Sequence, residues 1–284
     1  YSANKDGYIY AYYSYILDKQ YESLIKGSPL DKAVLAYRSL GKSNVDFAKE
    51  VFDWIAQTQG CNVLTIDLSS FFDTLDHEIL KKQWQRVNGV SSLSKDNYIV
   101  FKSLTHYSFL NIFDTLTALG WPDRLTRKNL NKKIPNPLRK EISARHQSME
   151  DFRSIRKHKF FNSDGTFKYL IQTPEKIAGK RYGIPQGSPM SAILSNIYML
   201  DFDQNCCDLM TQIGGIYRRY CDDIVVTFPE SISIDEIYNK LEKAISTHGG
   251  QQLKINSKKI KKIQFSHVTT RLTAIDVTTG IYKP

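Results

Sequence analysis

Three aspartates stand out because each lies in an otherwise apolar segment. Asp222 and Asp223 are adjacent within Tyr220-Cys-Asp-Asp-Ile-Val-Val226, and Asp67 ends the run Cys61-Asn-Val-Leu-Thr-Ile-Asp67. Adjacent carboxylates in apolar surroundings repel each other and lose hydration, so they need a neutralising partner. Two divalent cations would neutralise them and stabilise the attacking and leaving oxygens of a phosphoryl transfer. The aspartates therefore predict a two-metal site that takes two Mg²⁺ ions, or Mn²⁺ as a substitute, although a lone Asp-Asp pair is also typical of a solvated turn.

The segments around these aspartates predict the elements that position them. Asp67 ends a predicted strand, and the segment Gly214–Phe228 predicts two short strands joined by a tight turn at the Asp-Asp pair. Side chains alternate between the faces of a strand. We therefore expect Asp222 to join Asp67 as a principal metal ligand and Asp223 to be peripheral or shared.

Helical periodicity surrounds these strands. The predicted helices start at Asn44 (as the N-cap), at about Asp76, at Ser188-Pro189 and at about Ile234, the last one ending near Thr247 before Gly249-Gly250. Their predicted buried positions are Ala48, Val51, Phe52 and Ile55; Leu80, Trp84 and Val87; Met190, Ile193, Leu194 and Ile197; and Ile237, Leu241, Ala244 and Ile245. A last strand is predicted near Gln252–Ile255. This order predicts an α+β fold, in which an antiparallel split βαβ (ferredoxin-like) sheet is backed by helices.

The charge of the chain favours a polyanionic partner. Lys and Arg number 39 against 29 Asp and Glu, which gives a formal net charge of +10. Residues 120–182 hold 16 Lys or Arg and 6 Asp or Glu, interleaved with Phe152, Phe160, Phe161, Phe167 and Tyr169. Nucleic-acid bases stack on aromatic rings, and basic side chains neutralise the phosphates, so binding needs both kinds of residue. We predict nucleic-acid contacts there, with a solvated insertion as the alternative; the candidate residues are Arg153, Arg156, Lys157, Lys159, Lys180 and Arg181.

Other features narrow the class of protein. The four cysteines, at positions 61, 206, 207 and 221, have no zinc-ligand spacing, which predicts free thiols in a reducing cytoplasm. Neither a membrane-spanning run nor a signal peptide is recognised, so no membrane partner is expected. The chain starts at Tyr1, which suggests that an N-terminal piece precedes it.

Several segments together resemble the reverse transcriptases. Tyr220-Cys221-Asp222-Asp223 resembles their Tyr-x-Asp-Asp box, and Asp67-Leu-Ser-Ser-Phe-Phe72 followed by Asp76-His77 resembles their first catalytic motif. Gly183-Ile-Pro-Gln-Gly-Ser-Pro-Met-Ser191 with Leu194-Ser-Asn196 resembles their nucleotide loop. All three occur in the family's order. The resemblance implies an RNA-directed DNA polymerase that adds dNTPs along an RNA template to make a DNA product.

The resemblance also assigns roles to single residues. Phe72 corresponds to the aromatic steric gate that favours dNTP over rNTP, with core packing as the alternative. Gln186 and Gly187 correspond to the nucleotide-contacting loop, where glycine permits close backbone approach. Leu253-Lys-Ile-Asn-Ser-Lys-Lys-Ile260 resembles the fourth motif, so Lys259, or Lys258 as the alternative, is expected near the triphosphate as the donor of a proton to the leaving pyrophosphate.

A further segment resembles the fingers of the bacterial branch. Ala36-Tyr37-Arg38 with Gly41-Lys42-Ser43 corresponds to the part that grips nucleotide phosphates, and Arg38 is the expected ligand because a guanidinium binds phosphate bidentately.

The resemblance implies a right-hand polymerase arrangement. Its expected parts are fingers at 1–60, palm at 61–90, a basic insertion or fingers segment at 91–182, palm at 183–265, and the start of a thumb or a C-terminal extension at 266–284, with the thumb reduced or missing. The chain is similar to the retron and group II intron-like bacterial branch, and most similar to the unknown-group enzymes of antiphage defence. This implies a structured noncoding RNA as template, and any homo-oligomer would form through globular surfaces.

Two other functions are compatible with the same motifs. The first is template-independent or protein-primed DNA synthesis, for which tyrosines between Tyr8 and Tyr15 are candidate primers. The second is a palm-fold protein that binds RNA without polymerising. The intact set of Asp67, Asp222 and Asp223 argues against a pure binding protein.

Overall fold

The computed structural model describes residues 4–58, 60–118, 153–155, 157–161, 165, 167–268 and 271–283. The chain divides into two compact units. The first comprises Tyr1–Thr105 and Lys176–Pro284, and the second comprises His106–Glu175.

The secondary structure mixes helices with short and long strands. The helices are α1 (Asn4–Ile25), α2 (Pro29–Ala33), α3 (Asn44–Gln57), α4 (Phe71–Thr74), α5 (His77–Val87), α6 (Lys95–Thr105), α7 (Ile112–Ala118), α8 (Ser191–Tyr198), α9 (Leu200–Gln212) and α10 (Ile234–His248). The strands are β1 (Gly60–Asp67), β2 (Phe109–Leu110), β3 (Lys159–Phe161), β4 (Phe167–Tyr169), β5 (Ile171–Gln172), β6 (Lys176–Ile177), β7 (Lys180–Arg181), β8 (Ile216–Tyr220), β9 (Asp223–Pro229), β10 (Lys261–Val268), β11 (Arg271–Asp276) and β12 (Ile281–Lys283). None of the described helices is long and apolar enough to cross a membrane.

The main element of the first unit is a six-stranded antiparallel sheet in the order β12-β11-β10-β1-β9-β8. The predicted α+β class with an antiparallel sheet is confirmed, as are the strand that ends at Asp67 and the hairpin after it. The predicted strand at Gln252–Ile255 is wrong. Only Ile255 forms a bridge there, with Leu68, and the strand beside β1 is β10 instead.

Helices cover one face of this sheet and form the main core. Leu64 and Ile66 of β1 belong to a buried cluster with Trp84 of α5, Leu194 of α8 and Leu241 of α10. The buried positions predicted for α5, α8 and α10 are all confirmed. The four cysteines are free and buried, as predicted.

The other face of the sheet is covered by α3. Ile55 of α3 packs with Cys61 and Val63 of β1, whose side chains point away from those of Leu64 and Ile66. The buried face predicted for α3 is only partly right. Val51 and Ile55 face the sheet, but Ala48 and Phe52 are exposed, and Phe47 and Trp54 occupy the inner face instead.

Two predicted helix starts are displaced. The N-cap of α3 is Ser43, one residue before Asn44, because Ser43 and Asp46 form a reciprocal capping box. Helix α8 starts at Ser191, because Ser188 and Pro189 lie in the preceding turn, where the Ser188 carbonyl accepts a hydrogen bond from the Ser191 backbone. The start of α5 is as predicted, with Asp76 as its N-cap.

The second unit contains two small antiparallel pairs, β2 with β5 and β3 with β4. Lys168 on β4 forms an ion pair of 2.6 Å with Asp114 on α7. On β3, the ammonium of Lys159 lies 4.5 Å from the ring centre of Phe167 and 5.3 Å from that of Tyr169. This unit therefore presents a basic residue packed on aromatic rings.

Candidate active site

Adjacent strands bring the three predicted aspartates to one end of the sheet. Asp67 and Asp223 are directly paired across β1 and β9, and the backbone N–H of Leu68 donates to the Asp222 carbonyl at 3.1 Å. Cys221 and Asp222 form the two-residue turn of the hairpin, rather than the Asp-Asp pair that the sequence predicts. Asp222 therefore lies in the turn and Asp223 at the start of a strand.

The two hairpin aspartates face different cavities, and Asp67 lines both. Asp222 and Asp67 line a cavity of about 550 Å³. Asp223 and Asp67 line a second cavity, of about 630 Å³, between α3 and the sheet. This placement is compatible with the predicted pairing of Asp222 and Asp67 as principal ligands.

The cavity at Asp222 also collects Lys259 and the candidate nucleotide contacts other than Arg38. Phe72, Gln186, Gly187 and Lys259 line it together with Tyr37. Four separate parts of the sequence thus meet at one opening. Gly187 has a φ of +83°, a backbone conformation that favours glycine, and the space where a Cβ would be is open.

The nucleotide loop is tied to the segment that carries Phe72. The backbone N–H of Ile184 donates to the Phe72 carbonyl at 2.9 Å, and that of Gly183 donates to the Leu75 carbonyl at 2.8 Å. His77 Nε2 lies 2.7 Å from the Gly183 carbonyl oxygen. These hydrogen bonds hold the segment that carries Phe72 and the loop that carries Gly187 in a fixed relative position.

Two residues of the fourth motif hold the Asp67 carboxylate. The Lys259 ammonium donates to Oδ1 at 2.6 Å, and the Asn256 side chain donates to Oδ2 at 3.1 Å. The Asn256 backbone N–H also donates to the Asp67 carbonyl at 2.8 Å. The hydrogen bond with Asp67 raises the pKa of Lys259, so this lysine stays charged beside the cavity.

The turn is supported from below by a buried ion pair. Arg219 binds Asp203 with Nε and Nη2, both at 2.7 Å, and donates from Nη1 to the Cys221 carbonyl at 2.9 Å. Burial alone would lower the pKa of Arg219, but Asp203 outweighs it and raises the pKa. The guanidinium is therefore a permanent cation beneath the turn.

Backbone strain accompanies this turn. Cys221 has a φ of +60° and Tyr37 a φ of +63°, in the left-handed region that residues other than glycine adopt at a cost. The Tyr37 hydroxyl donates to the Cys221 sulfur at 3.3 Å. Ser70, which also lines the cavity, has a φ of +46°. Three strained residues at one site indicate a geometry that the surrounding structure imposes.

The structure does not bring Arg38, the predicted phosphate ligand, to the cavity at Asp222. Its guanidinium makes hydrogen bonds to Glu22 and Asp31 and to the carbonyls of Asp31 and Val34. The side chain is only 1% exposed. Burial alone would lower the pKa of Arg38, but the bonds to Glu22 and Asp31 outweigh it and raise the pKa. Arg38 therefore anchors the loop that follows α2 rather than reaching the cavity.

The carboxylates of the three aspartates are oxygen donors of the kind that bind a divalent cation. Burial raises the pKa of the Asp223 carboxyl, and the negative charges of Asp222 and Asp67 raise it further, while Lys259 opposes the shift. Such mutual repulsion between oxygen donors is relieved by a hard cation. Within the described ranges, no three acidic, histidine or cysteine side chains are grouped closely enough to hold a metal ion. In this conformation Lys259 and Asn256 occupy the oxygens of Asp67.

The five predicted nucleic-acid contacts that the structure describes fall in both compact units. Lys157 and Lys159 are exposed in the second unit, as is Arg153, whereas Lys180 and Arg181 belong to the β6–β7 hairpin of the first. Lys180 lies 3.7 Å from the Asp76 carboxylate. Arg156 lies outside the described residues.

Sequence reasoning did not identify Asn256, Arg219 or Tyr37 as site residues. Asn256 and Ser257 form a turn signal, which indicates a loop at this position but not the contact of Asn256 with Asp67. Arg219 lies in a strand whose partner residue, Asp203, is on a separate helix. No sequence signal indicates the strained backbone of Tyr37.

Comparison with known proteins supports the resemblance of the motifs. The family model described as reverse transcriptase (RNA-dependent DNA polymerase) matches residues 144–272, a little under half of the chain. The matched segment includes Gln186, both hairpin aspartates and Lys259. A search of curated proteins found no match.

Solved telomerase structures are similar to the chain at low sequence identity. Apo telomerase from Candida tropicalis, truncated from its C-terminal domain, is 12% identical with a TM-score of 0.49, covering 94% of this chain and 44% of that one. Telomerase from Candida albicans in complex with a TWJ fragment of telomeric RNA is 16% identical with a TM-score of 0.48, covering 94% of this chain and 37% of that one. The chain thus spans less than half the length of these telomerase chains.

Proposed function

We propose that the chain is an RNA-directed DNA polymerase that adds dNTPs at the cavity beside Asp222. One observation carries this proposal: a single cavity is lined by Asp67, Asp222, Phe72, Gln186 and Lys259. Nucleotide addition needs acids that bind cations, an aromatic ring that contacts the sugar and a lysine that contacts the phosphates. The match of residues 144–272 to the reverse transcriptase model supports the same reaction.

The three aspartates and Lys259 would have different roles in phosphoryl transfer. Divalent cations, when bound, would polarise the phosphoryl group and neutralise the charge of the attacking and leaving oxygens. Asp67 and Asp222 would hold them from the cavity side, with Asp223 contributing from the neighbouring cavity. Lys259 carries its proton beside the cavity and is placed to donate it to the leaving pyrophosphate once it releases Asp67.

Phe72 would select the sugar. Its ring is half-buried, packs edge-on against Phe71 at 5.4 Å between ring centres, and lines the cavity. The backbone bond to Ile184 holds it beside the nucleotide loop. A ring at the position of the family's steric gate would collide with a ribose 2′-hydroxyl, so DNA is the proposed product.

The test is incorporation of labelled dNTP and rNTP by purified protein with Mg²⁺, on a primed RNA template of known sequence. Asp222→Ala is compared with Asp208→Ala, which removes an exposed acid on α9. We expect dNTP to be added as the complement of the template and Asp222→Ala to be inactive, while Asp208→Ala keeps wild-type activity. Removal of Mg²⁺ by EDTA should abolish incorporation, and Mn²⁺ should restore it.

Other outcomes would replace this function. An untemplated product, or DNA covalently attached to a tyrosine, would indicate template-independent or protein-primed synthesis on the same site. Tight RNA binding without any synthesis would indicate a binding protein. Equal loss of activity in Asp208→Ala would show that the assay reports protein quality and not the site.

We further propose that the chain acts in the cytoplasm of a bacterium, copying a dedicated noncoding RNA during antiphage defence. The resemblance to the unknown-group bacterial enzymes supports this role. Sequencing of RNA that copurifies with the protein should give one structured species, and phage plating should be reduced by the wild type but not by Asp222→Ala. A random mixture of cellular RNA and equal plating would contradict the role while leaving the polymerase activity intact.

A further inference from the structure

The tyrosines of α1 fall into two sets with opposite surroundings. Tyr10 and Tyr13 face inward, where their hydroxyls donate to Ser103 at 3.0 Å and to Asp96 at 2.8 Å on α6. Tyr8, Tyr12 and Tyr15 face solvent, with exposed fractions of 80%, 62% and 58%. Packing accounts for the inner set. In the outer set, Tyr12 meets the ring of Tyr13 edge-on at 5.7 Å between ring centres, yet all three rings remain mostly exposed.

The outer tyrosines lie along one side of the helix between two lysines. Spacings of four and three residues place Tyr8, Tyr12 and Tyr15 in one row, and the same spacing adds Lys5 before them and Lys19 after them. We call these five residues the tyrosine stripe. The Lys19 ammonium lies 4.4 Å from the ring centre of Tyr15. The stripe is therefore aromatic and basic throughout.

Acidic residues of α1 are kept off the stripe. At 100° per residue, Asp6 and Asp18 lie on other sides of the helix. Glu22, which is closer to the stripe, is bound to the Arg38 guanidinium at 2.7 Å. The stripe thus presents positive charge and exposed rings, and the nearest carboxylate of α1 is already paired with Arg38.

The composition of the stripe distinguishes among occupants. A second copy of the helix would need aliphatic residues at these positions, as coiled-coil seams have, but the stripe has none. Single-stranded nucleic acid needs ring faces for its bases and cations for its phosphates, and both are present. The tyrosines also follow each other along the helix axis by about 6 Å and about 4.5 Å, distances comparable to the spacing of bases in a partly extended single strand.

The opposite side of α1 is fixed to the nucleotide loop. The Ser14 hydroxyl donates to the Pro189 carbonyl at 3.1 Å. Pro189 closely follows Gln186 and Gly187, which line the cavity at Asp222. A strand bound on the stripe would therefore be held by a helix that is anchored beside the candidate active site.

We propose that the tyrosine stripe is a second binding surface, which holds single-stranded RNA or DNA by stacking on Tyr8, Tyr12 and Tyr15. The inference rests on the proposed function for its biological use, as a surface that retains template or product strand. Binding itself requires no synthesis. Because every base has a ring face, the surface should accept both sugars and most sequences.

The test is binding of 5′-fluorescein-labelled dT20 and rU20 by fluorescence anisotropy in EDTA, with the full chain. The triple variant Tyr8→Ser/Tyr12→Ser/Tyr15→Ser should weaken binding at least about 30-fold, and each single Tyr→Ser change at least about fivefold, because stacking on one ring is worth that much. The triple Tyr→Phe variant keeps the rings and should bind within about twofold of wild type. Phe52→Ser, which removes an exposed ring on α3, is the matched control and should bind as wild type does.

Three results would overturn the proposal. The first is unchanged binding by the Tyr→Ser triple variant. The second is equal weakening by the Tyr→Phe triple variant, which would assign the effect to the hydroxyls. The third is a wild-type dimer that the Tyr→Ser triple variant dissolves in sedimentation, which would make a second copy the occupant. Loss of only dT20 or only rU20 binding would support the surface and identify the strand that it holds.

The same variants separate this inference from the proposed function. If wild type makes no DNA but the Tyr→Ser triple variant still loses binding, the polymerase proposal fails and the stripe stands. If wild type makes DNA and the triple variant binds normally, the stripe fails and the polymerase stands. The Tyr→Phe triple variant also removes every phenol of the stripe that could prime synthesis, so a covalent tyrosine–DNA product that persists in it must start elsewhere.

Discussion

Two ion pairs lie near the Cys221-Asp222 turn, Arg219 with Asp203 and Lys259 with Asp67, and they differ almost completely in burial. Below the turn, Arg219 and Asp203 are both 0% exposed. Above it, Lys259 is 61% exposed where it meets Asp67, which is 8% exposed. The first pair is sealed inside the protein, whereas the second borders the cavity.

This difference in burial indicates which ion pair is structural and which one can exchange partners. A buried charge that loses its partner has no water to replace it, so Arg219 and Asp203 must stay together while the fold persists. An exposed ammonium is rehydrated at little cost when it leaves a carboxylate. Lys259 can therefore release Asp67, as the proposed function requires, while Arg219 keeps the turn in place.

The Arg38 cluster is intermediate between these pairs. Its guanidinium is buried, with 1% exposed, but its partners Glu22 and Asp31 are 36% and 37% exposed. Burial of these ion pairs thus decreases from Arg219 through Arg38 to Lys259. We expect the free energy of unfolding to respond in the same order.

The largest effect is expected for Arg219→Ala. It leaves Asp203 buried without its cation and frees the Cys221 carbonyl, so we expect a loss of about 3–5 kcal/mol in the free energy of unfolding, measured by urea titration. Arg86→Ala is the control, because it breaks an ion pair with Asp201 whose side chains are 48% and 37% exposed. It should cost less than about 1 kcal/mol. Similar losses in the two variants would refute the contrast.

The strands that carry the three aspartates could be predicted from the sequence because apolar residues surround each aspartate. The strand to Asp67 and the hairpin around Asp222 follow from short, nearly continuous apolar runs, which are typical of strands buried on both faces. The strand at Gln252–Ile255 was predicted from an alternating pattern and is wrong. Local alternation does not distinguish a paired strand from an extended connection, and the lysine run before β10 obscured the real one.

The side-chain partners in the site could not be predicted for a different reason. Arg219 and Asp203, like Arg38 and Glu22, are 16 positions apart in sequence on separate elements. A basic residue in a strand or a loop is usually solvated, so its sequence gives no sign of burial. Arg38 was assigned to phosphate because its loop resembles a phosphate-binding segment, whereas tertiary folding brings two acids onto it. Contacts of this kind depend on the packed fold.

A smaller and pH-dependent effect is expected for Asp31→Asn. The hydrogen bond from Arg38 lowers the pKa of the Asp31 carboxyl below its ordinary value of 3.8. A lowered folded-state pKa gives stability that is present above the unfolded pKa and is lost as pH falls through the folded pKa. We expect the variant to be less stable by under about 1 kcal/mol at pH 7, because both acids are partly exposed.

The pH dependence is checked by urea unfolding of both proteins from pH 7 down to pH 2. The difference in free energy should be constant above about pH 5 and shrink below pH 4. Asp208→Asn, an exposed acid without an ion pair among the described contacts, is the control and should show no such trend. A difference that grows as pH falls would contradict the assigned sign.

The smallest effect on stability, with a large one on activity, is expected for Lys259→Gln. Asp67 lines an open cavity and keeps its bond from Asn256, so water can replace the ammonium and the urea midpoint should equal that of wild type. Mn²⁺ binding without nucleotide should tighten, because the variant no longer has an ammonium that competes for Oδ1. The rate of dNTP incorporation should nevertheless fall on the order of 10²-fold, because the proton donor is lost. Lys258→Gln, which removes the neighbouring charge without touching Asp67, should change none of these three quantities. If Lys259→Gln instead destabilised the protein as Arg219→Ala does, the upper pair would be scaffold as well, and Lys259 would not be free to exchange partners.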